Sequence, residues 1–167
     1  FLFLGTWKRR KGWPELFEAW FRTFSASDNV EMLIKTDRLS LSQKNIAELK
    51  TQLGFDGKDT APIKWETRVL NELELPLLFA KADCLISPSL GEGFGLPGLQ
   101  AMAMGIPVAI TNYSGPTEYA TEATATLIEP NKHIVCSDMD TIPQFRNKKW
   151  ANVTADGVSQ AMQYVVQ

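Results

Sequence analysis

The chain has 167 residues, with 17 Lys and Arg against 19 Asp and Glu, a formal net charge of −2, 44% hydrophobic residues and 22% charged residues. This composition excludes disordered, collagen-like and coiled-coil chains, and the near-neutral balance argues against a dedicated nucleic-acid binder. No apolar run approaches the ~20 residues of a membrane-spanning helix, and a domain of this size can bury roughly 70% of the surface its unfolded chain exposes.

Phe1–Leu4 is a short apolar run closed by Gly5, read as a buried strand. No basic stretch precedes it, so there is no signal-peptide pattern, and a start inside an apolar run without Met is expected of a piece of something longer. After a basic loop, Pro14 opens a helix whose Leu16, Phe17, Trp20, Phe21 and Phe24 form one apolar stripe. Val30–Lys35 reads as the second strand. Ser42 is expected to cap a helix carrying Ile46, Leu49 and Leu53, with Gly54 as its stop. Pro62–Trp65 is a weak third strand, and Pro76–Lys81 a short helix. Asp83–Ser87 is the fourth strand, Pro97–Met104 a helix ended by Gly105, and Pro107–Thr111 the fifth strand. Pro116–Ala120 begins a further helix, Thr124–Ile128 reads as a sixth strand, and Thr154 can cap a last helix bearing Val158, Met162 and Val165. Strands alternating with helices predict one α/β domain, a doubly wound, Rossmann-like parallel sheet with right-handed crossovers.

Cys84 and Cys136 are the only cysteines. Their spacing matches no metal site or redox pair, Cys84 is expected to be a buried small hydrophobe, and a reducing, cytoplasmic compartment is expected.

Ligands of such a sheet bind at the carboxyl ends of the strands, near the switch in strand order. The loops at those ends are Gly5–Gly12, Thr36–Ser40, Trp65–Arg68, Ser87–Leu96 and Asn112–Pro116. The richest runs Pro88-Ser89-Leu90-Gly91-Glu92-Gly93-Phe94-Gly95-Leu96-Pro97. Its glycines let the backbone approach a ligand, and the helix start that follows offers N–H groups and a positive dipole end to a phosphate. Glu92 is misplaced for a phosphate ligand and suited to accepting hydrogen bonds from hydroxyls. Together these features describe a site for a molecule both phosphorylated and polyhydroxylated, a sugar nucleotide. The alternative is a tight turn with a solvated Glu92. The second loop, Gly5-Thr6-Trp7-Lys8-Arg9-Arg10-Lys11-Gly12, carries four cations able to neutralise a diphosphate, Lys11 foremost, against the plainer reading of a solvated basic loop.

Gly93-Phe94-Gly95-Leu96-Pro97-Gly98 also matches G-x-G-x-x-G, the dinucleotide fingerprint. There the first glycine follows the strand at once and an acid ends the next strand. Here several residues follow Ile86 first and Asn112 stands in the acid's place, so an NAD-dependent oxidoreductase is the weaker reading. His133, the only histidine, sits late in the chain and reads as a surface residue.

The run Pro88–Val108, continued by Asn112-Tyr113-Ser114-Gly115-Pro116-Thr117-Glu118 and joined by Phe3-Leu4-Gly5 and Lys11-Gly12, resembles the signature of the family 4 glycosyltransferases. These are retaining enzymes of the GT-B architecture, two Rossmann-like domains facing each other across a cleft. The resemblance implies that residues 1–167 are the C-terminal, donor-binding half, and that the N-terminal acceptor domain lies outside this sequence. It implies donor binding by Gly5, Thr6, Lys11, Glu92, Gly93, Phe94, Gly95, Leu96 and Gln100. Lys11 would meet the diphosphate, Glu92 the sugar, the loop amides the diphosphate and sugar, and residue 100 the ribose, with Glu92 and Lys11 as the catalytic pair. The implied partner is a nucleotide-diphosphate sugar, with no cofactor or metal. Nucleic acid is not a partner, and membrane contact, if any, falls to the other half.

Two positions depart from the family pattern. Residue 100 is Gln where the E-x7-E motif has Glu, and a neutral acceptor should weaken ribose binding by about 1 kcal/mol. Thr6 replaces an arginine, leaving Lys8, Arg9 or Arg10 to compensate. A degenerate nucleotide-sugar-binding module without turnover is therefore the rival within the same fold. Trp65 or Glu66, ending the third strand, could border a nucleobase, although core packing suits Trp65 better.

Overall fold

Six short strands alternate with helices in the computed structural model of the chain, which describes residues 1–135 and 148–167. The strands are β1 (Leu2–Leu4), β2 (Met32–Lys35), β3 (Ile63–Trp65), β4 (Leu85–Ser87), β5 (Val108–Thr111) and β6 (Thr126–Ile128). They form one parallel sheet in the order β3-β2-β1-β4-β5-β6. The helices are α1 (Trp13–Thr23), α2 (Leu39–Gln52), α3 (Leu75–Phe79), α4 (Leu96–Ala103) and α5 (Ala155–Val165). This is the expected doubly wound parallel sheet.

Alternation along each strand sends successive side chains to opposite faces, and both faces are covered. Phe3, Met32, Ile34, Ile86, Ala109 and Ile128 point to one face, into a cluster with Leu16, Phe17 and Trp20 of α1, Ile46 of α2, and Val158 and Met162 of α5. Leu2, Leu85, Val108 and Ile110 point to the other, against Leu78 and Phe79 of α3 and Ala101 of α4. A sheet buried on both sides explains why the strands read as unbroken apolar runs. Cys84 is buried with a free thiol, and desolvation pushes that thiol up to about 11, so it behaves as the expected inert hydrophobe. Cys136 lies outside the described residues.

Strand order reverses between β1 and β4, which pair through Leu2 and Leu85. From β1 the chain moves outward to β2 and β3, then returns to build β4, β5 and β6 on the other side. The loops leaving β1 and β4 therefore meet at the switch point, where a doubly wound sheet has its crevice.

Two local expectations need correction, and one pairing was not anticipated. The second helix starts at Leu39 with Arg38 at its N-cap. Ser42 lies inside it, fully buried, donating to the Leu39 carbonyl at 2.7 Å and accepting the Trp65 indole N–H at 3.2 Å. A serine that close to a helix start resembles a cap, but its hydroxyl serves a half-buried tryptophan. The helix expected from Pro116 is a single 3-10 turn, Gly115–Glu118. Finally, β7 (His133–Val135) and β8 (Lys149–Ala151) pair antiparallel, Ile134 opposite Trp150, which the sequence pattern did not reveal. The cap expected at Thr154 is present, its hydroxyl accepting the Gly157 N–H at 3.2 Å.

Candidate functional site

The loop after β1 turns inward at Trp7, which is 4% exposed. Asp37 accepts the Trp7 backbone N–H at 2.7 Å, Asn45 accepts its indole N–H at 2.9 Å, and its ring stacks on Trp13 at 4.9 Å. Residues Arg9–Lys11 then form a 3-10 turn ending at Gly12, where φ is +70°. A Cβ at Gly12 would sit 1.9 Å from the Pro88 carbonyl oxygen, so only glycine lets the two loops touch here.

The turn directs its cations differently. Arg9 makes a two-pronged pair with Glu15 at the start of α1, and Lys8 is exposed with no ion pair among the described residues. Arg10 donates to the Gly91 carbonyl and, at 2.8 Å, to Glu92 Oε2. Lys11 Nζ lies 2.5 Å from Glu92 Oε1. The stem of Lys11 runs over Gly5, where an added Cβ would stand 3.4 Å from Lys11 Cε. Gly5 thus supports the lysine.

Glu92 is the centre of this arrangement. Its carboxylate also accepts the Ser89 hydroxyl at 2.7 Å, and its backbone N–H donates to Ser114 Oγ at 2.9 Å. Burial alone would raise its pKa, but the Lys11 ammonium, then the Arg10 guanidinium and the Ser89 hydroxyl outweigh that effect and hold it below the ordinary carboxylate range. Ser114 adopts a left-handed φ of 58° to meet Glu92. Next to it, a Cβ on Gly115 would fall 2.2 Å from the Gly93 carbonyl oxygen, so the loop after β5 presses directly on the glycine-rich loop.

Beyond Glu92 the backbone N–H groups of Gly93, Phe94 and Gly95 donate to no group among the described residues. Gly95 is the N-cap of α4, which has no side-chain cap, so the positive end of that helix is also unanswered. The Tyr119 hydroxyl holds the Gly95 carbonyl at 2.6 Å, and its ring meets Phe94 at 5.4 Å. Gln100, a turn further along α4, is exposed, and its side chain makes no hydrogen bond among the described residues. Thr6, in the loop after β1, is likewise exposed.

The structure therefore brings together Gly5, Lys11, Glu92 and the amides of Gly93–Gly95, with Thr6, Leu96 and Gln100 at the margin. Sequence reasoning missed Ser89, Ser114 and Tyr119, which hold the loop in place. Ser114-Gly115 stood within the recognised run, but nothing in its spacing showed that its hydroxyl takes an N–H from a residue 22 positions earlier. Trp65 packs against the core. Glu66 sits beside Arg68 and Lys81, whose hydrogen bonds, Arg68 foremost, lower its pKa to about 2. His133 is exposed, as expected, although it begins a strand and its ring meets that of Tyr113 at 4.7 Å, tilted by 40°.

The dinucleotide fingerprint is a coincidence of letters. β4 ends at Ser87, well before Gly93, whereas the fingerprint's first glycine follows its strand at once. A concavity of about 750 Å³ lined by Phe1, Glu31, Pro107 and Tyr164 lies at the opposite, amino edge of the sheet. Among the described residues no three His, Cys, Asp or Glu side chains are grouped to hold a metal ion, and no helix is long and apolar enough to cross a membrane.

Residues 1–139 match the family described as Glycosyl transferases group 1. The chain belongs to that family. It is 35% identical over 97 residues to the O-antigen chain mannosyltransferase B of Escherichia coli, a match covering 54% of this chain and 24% of that protein. This group 1 glycosyltransferase sequence thus spans about a quarter of that relative's length. Its fold matches a glycosyltransferase from Rickettsia africae ESF-5 with a TM-score of 0.65 at 21% identity, over 99% of this chain and 37% of that one. It also matches Anabaena HepE in complex with UDP and glucose, with a TM-score of 0.58 at 21% identity, over 99% of this chain and 43% of that one. These likenesses place its sheet in the Rossmann-like, GT-B fold class.

Proposed function

We propose that this chain is the donor-binding domain of a retaining glycosyltransferase that moves a hexose or related sugar from a nucleotide diphosphate to a hydroxyl of the acceptor. The observation that carries the reading is the meeting of Lys11 and Glu92 at the switch point, beside loop amides that donate to no group among the described residues. A diphosphate needs cations and N–H donors, and a sugar needs a carboxylate acceptor; this crevice has all three within one loop pair. The UDP and glucose held by Anabaena HepE and the mannosyltransferase relative support the same class of donor.

On this reading Lys11 and the amides of Gly93–Leu96 neutralise the charge that builds on the leaving diphosphate as its bond to the sugar carbon breaks, an electrostatic task. Glu92 orients the sugar through its hydroxyls, Gln100 accepts from the ribose, and Gly5 and Thr6 flank the diphosphate. The acceptor oxygen bonds to the same face of that carbon, and its proton passes to the departing diphosphate. No metal ion or cofactor enters the scheme. The acceptor site belongs to an N-terminal domain outside this chain, any membrane contact belongs there too, and the compartment is the cytoplasm. The fragment alone binds donor without turnover.

The test is a thermal-shift panel of UDP, GDP, ADP, their sugar conjugates and NAD. A ligand at 100 times its dissociation constant adds ~2.7 kcal/mol, and each kcal/mol moves the midpoint of a domain this size by roughly 2–4 °C. One nucleotide diphosphate shifting the midpoint selectively, and Lys11→Ala losing that shift, are the expected results. A shift with NAD alone would overturn the reading.

A further inference from the structure

The four cations after β1 are not equivalent. Arg9 is committed to Glu15, and Lys8 has no ion pair among the described residues. Arg10 and Lys11 both reach across the β1–β4 junction to one carboxylate, Glu92, more than 80 residues away in sequence. All three side chains are largely enclosed: 19% of Arg10, 13% of Lys11 and 9% of Glu92 is exposed. Two cations against one anion leave this enclosed group with a net positive charge. Arg10 uses only Nη1 for its two bonds, to Gly91 and Glu92. Its Nε and Nη2 donors have no partner among the described residues, and a guanidinium has five N–H groups to offer. The idle amides of Gly93, Phe94 and Gly95 continue the same loop.

Resting on the donor-binding reading above, we propose that Arg10 is a second diphosphate-binding residue held in reserve on Glu92, and that Arg10 and Lys11 exchange that carboxylate for the diphosphate when donor binds. Glu92 is the internal anion that keeps the two cations positioned while the crevice holds no ligand. The incoming diphosphate carries more charge than one carboxylate and outcompetes it. The displaced carboxylate keeps Ser89 and accepts from the sugar hydroxyls. Recognition of the sugar is thereby coupled to recognition of the diphosphate. A nucleotide diphosphate without its sugar takes the cations but leaves Glu92 short of partners, so it binds less well than the conjugate. Arg10 also supplies the charge missing at Thr6.

The experiment is calorimetric titration of the full 167-residue chain with UDP, GDP and ADP. The tightest of the three is then carried through Arg10→Gln, Arg10→Lys, Lys11→Gln, Arg9→Gln and Glu92→Gln, each first shown to be folded by its melting transition. Arg10→Gln is expected to weaken binding by about 10- to 100-fold, the range for a charged hydrogen bond, and to flatten its salt dependence. Arg10→Lys recovers most of the loss, Arg9→Gln matches wild type, and Glu92→Gln binds the free diphosphate more tightly than wild type does. If Lys11→Gln weakens binding and Arg10→Gln does not, the assignment of Arg10 is overturned while the donor reading stands. Equal losses in Arg10→Gln and Arg10→Lys would make the residue a loop brace and overturn it as well. If Glu92→Gln binds no more tightly, the exchange is overturned. Wild-type silence toward all three nucleotides removes both the exchange and the donor reading.

Discussion

Leu90 donates its backbone N–H to the carbonyl of Arg10 at 2.8 Å, so the glycine-rich loop and the basic loop are one hydrogen-bonded unit. Leu90 in turn accepts the N–H of Ala151 at 2.8 Å, which ties β8 to the same point. The crevice is thus braced from three sides, by the basic loop after β1, by β8 and by the Ser114-Gly115 turn. Its precision depends on backbone contacts as much as on the charged side chains, and the predictions follow from that.

Gly115→Ala places a methyl 2.2 Å from the Gly93 carbonyl oxygen and 2.5 Å from Phe94 Cα, both backbone atoms that cannot swing aside. The expected cost is about 1–3 kcal/mol, as for other overpacked sites, together with loss of nucleotide diphosphate binding. Gly91→Ala meets nothing within 4 Å and should leave stability near wild type. Urea midpoints of the two variants make the comparison.

Ser114 sits at φ 58° and ψ −143°, a conformation that glycine adopts without strain and other residues do not. Both Ser114→Gly and Ser114→Ala remove the acceptor for the Glu92 N–H, but only glycine relieves the backbone. The alanine variant should therefore be less stable than the glycine variant by about 1 kcal/mol. Equal midpoints would show that the strain is not felt.

Glu92 has a folded pKa below its ordinary value, because Lys11, Arg10 and Ser89 overcome the effect of burial. As pH falls, the unfolded chain binds that proton first, at about 4.3. The stability it contributes is complete above that pH and is lost as pH drops through the lower folded value. Glu66 follows the same sign, and with its folded pKa at about 2 its loss extends further into acid. Urea midpoints between pH 7 and pH 2 should fall less steeply for Glu92→Gln, and for Glu66→Gln the difference should persist to the acid end. Parallel curves for wild type and Glu92→Gln would contradict the ion cluster.

Gln100→Glu should tighten nucleotide diphosphate binding by about 1 kcal/mol, the difference between a neutral and a charged acceptor for a ribose hydroxyl. Its exposed position makes a folding effect small, so an unchanged dissociation constant would argue directly against a ribose at this end of α4.

Much of the fold was legible because both faces of the sheet are buried. Phe3, Ile34 and Ile86 had to face one cluster while Leu2, Leu33 and Leu85 faced the other, and that leaves apolar runs between glycine and proline stops. The loop after β4 was legible for a different reason: its glycines and Glu92 are adjacent in sequence. What stayed hidden depends on partners far along the chain. Ser42 looked like a cap because Trp65, the donor to its hydroxyl, lies 23 residues away. The strands β7 and β8 each carry a polar residue, His133 and Lys149, within only three positions, so neither stands out as an apolar run as β1 does. The division of labour among Lys8, Arg9, Arg10 and Lys11 was also unreadable, since Glu15 and Glu92 decide it from outside the loop.

The pairing of α1 with α5 has a consequence for how the chain is made. The Thr23 and Ser159 hydroxyls that meet between these helices, 2.5 Å apart, are separated by 136 positions. At a synthesis rate of about 5–20 residues per second, the interval between their emergence is on the order of ten seconds. Throughout it the flank of α1 that α5 will cover stays open, and until Ala151 emerges the brace to Leu90 does not exist. A nascent chain stalled before residue 151 therefore offers chaperones an apolar helix flank and an unbraced crevice; the crevice is closed by β8 and the helix flank only later by α5.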